Sequence, residues 1–192
     1  MPQKRKPDQK KQICDAALAL ADAKGWGHFT LEDVLRKAKV NKAENVNDVW
    51  DVLYIILKNI DQLVHNQMKD SLSDRGLSDS WRDNLFEILM TRFDIVQPHR
   101  SGFSSLLKAA AKHPDILPRF LPLMMETLSG MLSLAGLPKR ACSHLQTLVF
   151  SGFYLAIIRE WLKDETKDMS KTMSAIDKRL GQFERVMSIG EK

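Results

Sequence analysis

The N-terminal stretch constrains the fold most, because it has the pattern of short helices joined by tight turns. Ile13, Ala17 and Leu20 are apolar residues three and four positions apart, which is typical of a helix with one buried face. Gly25 ends this pattern, and glycine most easily takes the left-handed conformation that follows a helix. A first helix that ends at Gly25 is therefore predicted.

A second short helix is predicted to begin at Leu31. Thr30 precedes it and Asp33 follows three positions later, so the hydroxyl and the carboxylate can bond the free N–H groups of a helix start. The pattern ends in a tight turn at residues 39–42. A third helix is expected to follow at a steep angle, before a fourth that begins at Asp51. This order is the helix-turn-helix arrangement, whose second member can enter a DNA major groove.

The remainder of the chain is predicted to be helical as well. Apolar residues recur at helical spacing from Leu53 to Met68, and a continuous helix of about 20 residues would be about 30 Å long. Residues 71–80, SLSDRGLSDS, are expected to form a loop because Ser, Asp and Gly dominate them. Five more helical segments follow, and strand patterns are nearly absent. The predicted fold class is all-α.

Charge is distributed unevenly along the chain. The 192 residues carry a formal net charge of +5, and the first twelve contain five Lys or Arg and one Asp. Such a basic arm can follow a DNA backbone or enter a minor groove, and it can equally be a solvated terminus. Composition, at 44% hydrophobic and 28% charged residues, is ordinary for a globular protein.

Enzymatic chemistry has no support in the motifs. The five histidines lack metal-ligand spacing, and no nucleophile elbow, glycine-rich phosphate loop or dinucleotide fingerprint occurs. No metal site, no cofactor and no catalysis are expected. Cys14 and Cys142 also lack metal or redox spacing, so they are interpreted as small core residues of a cytoplasmic protein. Apolar runs are too short to span a bilayer, so no membrane span is expected.

The N-terminal pattern resembles that of a known family. The residues that carry the resemblance are Ala16-Ala17-Leu18, Lys24-Gly25-Trp26, Phe29-Thr30, Val34, Ala38 and Val40-Asn41-Lys42. They are similar to the N-terminal domain of TetR-type transcriptional regulators. The resemblance implies a three-helix DNA-binding head in residues 1–50 and a larger helical domain in residues 51–192 that binds an effector and dimerises.

Site residues follow from the same resemblance. Asp48 stands where the family has a histidine that touches phosphates. The implied DNA-binding residues are Thr30, Asn41, Lys42, Ala43, Glu44, Asn45, Asn47 and Asp48. The implied ligand-binding residues are Phe93, Phe103, Leu107, Phe120, Met124, Met125, Phe150, Phe153 and Tyr154, although such an apolar stripe is usually core.

Two apolar helical segments near the C-terminus predict a subunit interface. Residues 140–162 are apolar on more than one face, and a seam with alternating steps of three and four follows from residue 168. Packing within one chain is the alternative. The predicted dimer-interface residues are Ile157, Trp161, Met173, Ile176, Leu180 and Phe183.

Two functions follow from these patterns. The C-terminal segment, with Trp161, Asp168-Met169-Ser170 and Asp177-Lys178-Arg179-Leu180, is similar to the last helix pair of a TetR-like subgroup and faintly similar to ubiquinone-biosynthesis lipid-binding proteins. The first hypothesis is a homodimeric regulator that binds a palindromic operator and responds to a small apolar effector. The second is a lipid- or isoprenoid-binding protein on a TetR-like fold without DNA binding, and a scaffold protein ranks third.

Overall fold

A computed structural model describes residues 9–43, 45–75, 78–138 and 143–189, with the backbone alone for residues 70–75, 143 and 189. Within these ranges the chain is helical and contains no strand, which confirms the predicted all-α class. The elements are α1 (Gln9–Lys24), α2 (Leu31–Ala38), α3 (Val49–Arg75), α4 (Trp81–Val96), a 3-10 turn (Gln97–His99), α5 (Arg100–Ala110), a second 3-10 turn (Pro114–Ile116), α6 (Leu117–Leu134), α7 (Ser143–Lys163) and α8 (Ser170–Ile189).

The described residues form two compact units. Unit 1 takes those of residues 9–62 and 96–117, and unit 2 takes those of residues 63–95 and 118–189. Unit 1 therefore contains α1, α2, α5 and the N-terminal half of α3. Unit 2 contains the rest of α3 together with α4, α6, α7 and α8. The described residues of the predicted DNA-binding head lie in unit 1, and the functional boundary at residue 50 stays a prediction.

Unit 1 is built on the predicted apolar stripe of α1. Ile13, Ala17 and Leu20 are buried, and α1 packs against both α2 and α5. The helix ends at Lys24, and Gly25 follows it with a φ of 84°, as the sequence predicts. The burial of this stripe fixes α1 in the centre of the unit.

Helix α3 differs from its prediction at both ends. It begins at Val49, two residues before Asp51, and it continues to Arg75 over 27 residues, which corresponds to a length of about 40 Å. The predicted loop is therefore wrong for residues 71–75, which are helical. These five residues contain no proline or glycine, so nothing interrupts the hydrogen bonds of the helix before Gly76.

Unit 2 has an aromatic core. Leu85 and Ile88 of α4 are fully buried, as are Phe150 of α7 and Phe183 of α8. The rings of Phe150 and Phe183 lie 5.2 Å apart between their centroids, and α7 and α8 pack along each other. The apolar face of α8 is thus covered by its own chain.

Candidate nucleic-acid interface

The start of α2 is fixed by a reciprocal cap. Thr30 Oγ1 accepts a hydrogen bond from the backbone N–H of Asp33, and the backbone N–H of Thr30 donates to Asp33 Oδ2 at 3.0 Å. The cap predicted from the sequence is therefore present. Hydrogen bonds from Thr30 hold the pKa of the Asp33 carboxyl below its ordinary value, so this group stays an anion. Asp33 also pairs with Arg36.

The end of α2 carries exposed positive charge. Lys37, Lys39 and Lys42 are exposed, and we call these three lysines the basic turn. Residues 34–43 contain no acidic residue, so no carboxylate in this stretch of sequence offsets that charge. Lys42 is among the predicted DNA-binding residues, whereas Lys37, in the last turn of α2, and Lys39, its C-cap, are not. An exposed cluster of this kind attracts phosphates.

Lys39 closes α2 in the left-handed conformation, with a φ of 56°. Its backbone N–H donates to the carbonyl of Arg36, and the N–H of Val40 donates to the carbonyl of Leu35 at 3.0 Å. Glycine is the residue that usually fills this position, because a side chain is strained there.

Lys39→Gly is therefore expected to raise the free energy of unfolding by about 1 kcal/mol. Lys42→Gly is the matched control, since Lys42 has a negative φ and the same loss of charge. It should leave stability unchanged or lower it. Chemical denaturation of both variants tests this difference, and equal effects would contradict it.

The predicted third helix is absent from the described residues between α2 and α3. Residues 39–43 and 45–48 are non-helical, and Asn45 has a φ of 58°. The reason lies at the start of α3. The backbone N–H of Asp51 donates to Asp48 Oδ1 at 2.8 Å, and Asp51 Oδ2 accepts from the N–H groups of Asn47 and Asp48. This capping box starts α3 at Val49, and Asp48 rather than Asp51 is its N-cap.

Most of the predicted DNA-binding residues lie on this non-helical segment. Thr30, Asn41, Lys42, Asn45 and Asn47 are exposed. Ala43 and Asp48 are half-buried, and Glu44 lies outside the described residues. The carboxylate of Asp48 serves the cap of α3, so its role in this structure is to hold a helix end.

A half-buried carboxylate that is absent from the sequence predictions joins α1 to α5. Asp22 accepts hydrogen bonds from Ser101 Oγ at 2.7 Å and from the backbone N–H of Gly102 at 2.8 Å, and His99 Nδ1 lies 2.6 Å from its other oxygen. Burial opposes the charge, but these hydrogen bonds prevail and hold the pKa of Asp22 below its ordinary value. Almost eighty residues separate the partners, so no local pattern indicates the pairing.

The nine predicted ligand-binding residues are divided between the units. Phe103 and Leu107 belong to unit 1, and the other seven belong to unit 2. Of those seven, Phe93, Phe150 and Tyr154 are buried, whereas Phe120, Met124, Met125 and Phe153 are half-buried.

Each unit has a concave feature that can be compared with the predicted ligand-binding residues. In unit 1, Leu18, Trp26, Ile56 and Phe103 line an apolar crevice that is too narrow to admit a water molecule. In unit 2, Arg82, Phe86, Glu87, Asp177 and Leu180 are among the residues that line a groove of about 330 Å³. The groove contains none of the nine predicted ligand-binding residues, and the crevice contains only Phe103.

A buried cation lies beside the predicted ligand residues of unit 2. Arg92 is 6% exposed, and its Nε donates to Tyr154 Oη at 2.9 Å. The ring of Phe93 lies 6.4 Å from that of Tyr154 and 5.4 Å from that of Trp161. Arg92 is not among the nine ligand-binding residues that the resemblance implies.

The predicted dimer residues are mostly inside the chain. Ile157, Trp161, Ile176, Leu180 and Phe183 are at most 2% exposed, and only Met173 is exposed, at 43%. Other apolar side chains lie on the surface of α7, where Leu145 and Leu148 are each 57% exposed and Leu155 is 51% exposed. These leucines are the apolar surface that a partner could cover without rearranging unit 2.

No protein-family model matches the chain, and no curated protein is significantly similar to it. The resemblance to TetR-type regulators thus stays a prediction from the sequence. Across the described residues, no group of three or more His, Cys, Asp or Glu is placed to hold a metal ion. Within the same part of the chain, no helix is long and apolar enough to cross a membrane.

Proposed function

We propose that this chain is a TetR-like DNA-binding transcriptional regulator that acts as a cytoplasmic homodimer under the control of a small apolar effector. The basic turn carries this proposal. Its three lysines are exposed at and just after the end of a capped helix, and residues 34–43 around them contain no acidic residue. Half or more of protein–DNA hydrogen bonds go to phosphate and sugar, and lysines at such a position can supply them.

Lys37→Gln, Lys39→Gln and Lys42→Gln, combined in one variant, are expected to weaken DNA binding by about tenfold or more at low salt. Each lost phosphate contact removes about one counterion, so the slope of log affinity against log salt should fall in magnitude by up to about 3. Fluorescence anisotropy with a labelled duplex from the DNA upstream of the gene measures both quantities.

The matched control removes three exposed lysines from unit 2. Lys167, Lys171 and Lys178 are exposed, and their replacement by glutamine removes the same net charge. This control should keep affinity and slope close to those of the wild type. Equal losses in both variants would mean that total charge, and not the basic turn, attracts the DNA.

The exposed leucines of α7 support the homodimer. Leu145, Leu148 and Leu155 are spaced by three and seven residues, which places them on one face of the helix. Gly152 continues this face, and nothing lies within 4 Å of the place where its Cβ would be. A face of this kind lets a second helix approach closely, and self-complementary faces produce two-fold dimers.

Leu148→Asp combined with Leu155→Asp is expected to convert the dimer into a monomer, because each carboxylate would be buried against an apolar partner. Leu117→Asp with Leu121→Asp is the control, since these two leucines of α6 are 60% and 52% exposed. Light scattering coupled to gel filtration gives the mass of each form. A monomeric wild type, or a control that dissociates while the α7 variant stays dimeric, would refute this interface.

A lipid- or isoprenoid-binding protein without DNA binding is the second candidate. The non-helical state of residues 39–43 and 45–48 favours it, because a groove-reading helix is missing there. Half-buried Met124, Met125 and Phe153 are side chains that can adapt to an apolar ligand. Native mass spectrometry of the purified protein tests this candidate. A bound apolar molecule, together with no DNA binding at low salt, would replace the regulator proposal with this one.

A further inference from the structure

The segment between α2 and α3 has a regular arrangement of buried and exposed residues. Val40 is 7% exposed, and Ala43 and Val46 are half-buried, so these three residues, which we call the anchors, are partly or fully shielded from solvent. Asn41 and Asn45 lie between these anchors and Asn47 directly follows the last one; all three are exposed, and we call them the asparagine ridge. The anchors hold the described backbone against the unit, and the asparagine amides face solvent.

Hydrogen bonds fix both ends of this segment. At its start, the N–H of Val40 donates to the carbonyl of Leu35. At its end, the N–H of Asn47 donates to Asp51 Oδ2 at 2.7 Å. Asn45 takes a φ of 58°, a conformation that asparagine tolerates better than most residues. The backbone that carries the ridge is therefore held by hydrogen bonds at Val40 and at Asn47.

Asparagine amides suit one kind of partner on duplex DNA. An amide donates and accepts side by side, and this arrangement matches N7 and the N6 amino group of adenine in the major groove. The neighbouring carboxylate of Asp48 is engaged in the cap of α3, so it does not compete for base edges. Exposed Lys42 within the same segment can hold the adjacent phosphate.

We infer that the asparagine ridge reads adenine-containing base pairs from a loop, while Lys42 contacts the backbone. This inference rests on the proposed function, because it assigns sequence selectivity to the same surface. The ridge sets which duplexes bind, and the basic turn sets how tightly any duplex binds. The two roles separate in experiment, since amide contacts are specific to bases and lysine contacts depend on salt.

The test selects tight binders from a pool of random-sequence duplexes with the full-length wild type. The selected sites are expected to share adenine positions, and changing those positions to guanine should weaken binding by about tenfold. The variant Asn41→Ala, Asn45→Gly, Asn47→Ala removes the amides and keeps a residue that accepts the positive φ at position 45. It should lose this preference with an unchanged salt slope, and circular dichroism verifies its fold. Lys42→Gln should do the reverse, lowering the slope and keeping the preference.

The outcomes distinguish this inference from the proposal on which it rests. Wild-type protein that selects no duplex at low salt overturns both. Wild-type protein that selects adenine-containing sites, with a ridge variant that keeps the same preference, overturns the ridge alone. Selected sites without shared adenines also overturn it, and DNA binding itself then still stands.

Discussion

Replacement of Asp164 by alanine is expected to lower the free energy of unfolding by about 3 kcal/mol. The carboxylate is fully buried and accepts hydrogen bonds from the backbone N–H and the hydroxyl of both Thr166 and Thr172. Thr172 lies in the first turn of α8, so a residue just after α7 caps the next helix. Alanine would leave these donors without their acceptor. Urea unfolding followed by circular dichroism measures the loss.

Asp168→Ala is the control in the same connection between α7 and α8. Asp168 is exposed, and its carboxylate accepts a hydrogen bond from the backbone N–H of Ser170 at 3.2 Å. Its replacement should cost less than about 1 kcal/mol. If both variants lost the same free energy of unfolding, the buried hydrogen bonds of Asp164 would contribute no more to stability than the exposed one of Asp168.

The same carboxylate predicts how stability changes with pH. Burial alone would raise the pKa of Asp164, but hydrogen bonds from Thr166 and Thr172 prevail and hold it far below the ordinary value of 3.8. A lowered pKa stabilises the fold above the unfolded-state pKa, and this contribution is lost as the pH falls. The stability difference between wild type and Asp164→Ala should be constant from about pH 7 to pH 5 and shrink below about pH 4. A difference that persists unchanged in acid would contradict this.

Gly102→Ala is expected to destabilise the protein by about 2 kcal/mol, although alanine is the better helix former. Its Cβ would lie 2.9 Å from Asp22 Oδ1 and 3.1 Å from the Cβ of Ala21. Relief of this overlap requires α5 to move away from α1. That movement breaks the hydrogen bonds that Asp22 accepts from Ser101 and from Gly102 itself. Thermal and urea unfolding both report the change.

Gly130→Ala in α6 provides the matched control. Nothing lies within 4 Å of the position of its Cβ, so only helix propensity changes. It should stabilise the protein by about 0.5–1 kcal/mol. If Gly102→Ala stabilised the protein as Gly130→Ala is expected to, the close packing of α1 against α5 at Gly102 would be refuted.

Helical periodicity predicted most of the architecture, because burial of an apolar stripe decides where a helix forms. The start of α2 at Leu31 and the end of α1 at Lys24 follow from Thr30 and Gly25, whose preferences are local. The prediction of a third helix before Asp51 was wrong because a helix cap that the prediction did not include forms within this segment. The reciprocal cap of Asp48 and Asp51 starts α3 early, and the family pattern gave no sign of it.

The sequence could not decide which helix packs against the apolar face of α8. The apolar seam of α8 predicts a helix against it, and the periodicity is the same whether that helix belongs to the same chain or to another. In the structure α7 takes this place, so Ile176 and Phe183 are fully buried within unit 2. The contact of Asp22 with α5 depends on residues far apart in sequence, and only the fold brings them together.

DNA binding by the wild-type protein as a function of salt tests the central claim most directly. Anisotropy titrations with a duplex from the upstream DNA, at several salt concentrations, give the slope of log affinity against log salt. The proposal predicts binding at low salt and a slope of about −3 for each bound copy, from the three lysines of the basic turn. Absence of binding at the lowest salt concentration, or an affinity that does not change with salt, would contradict it.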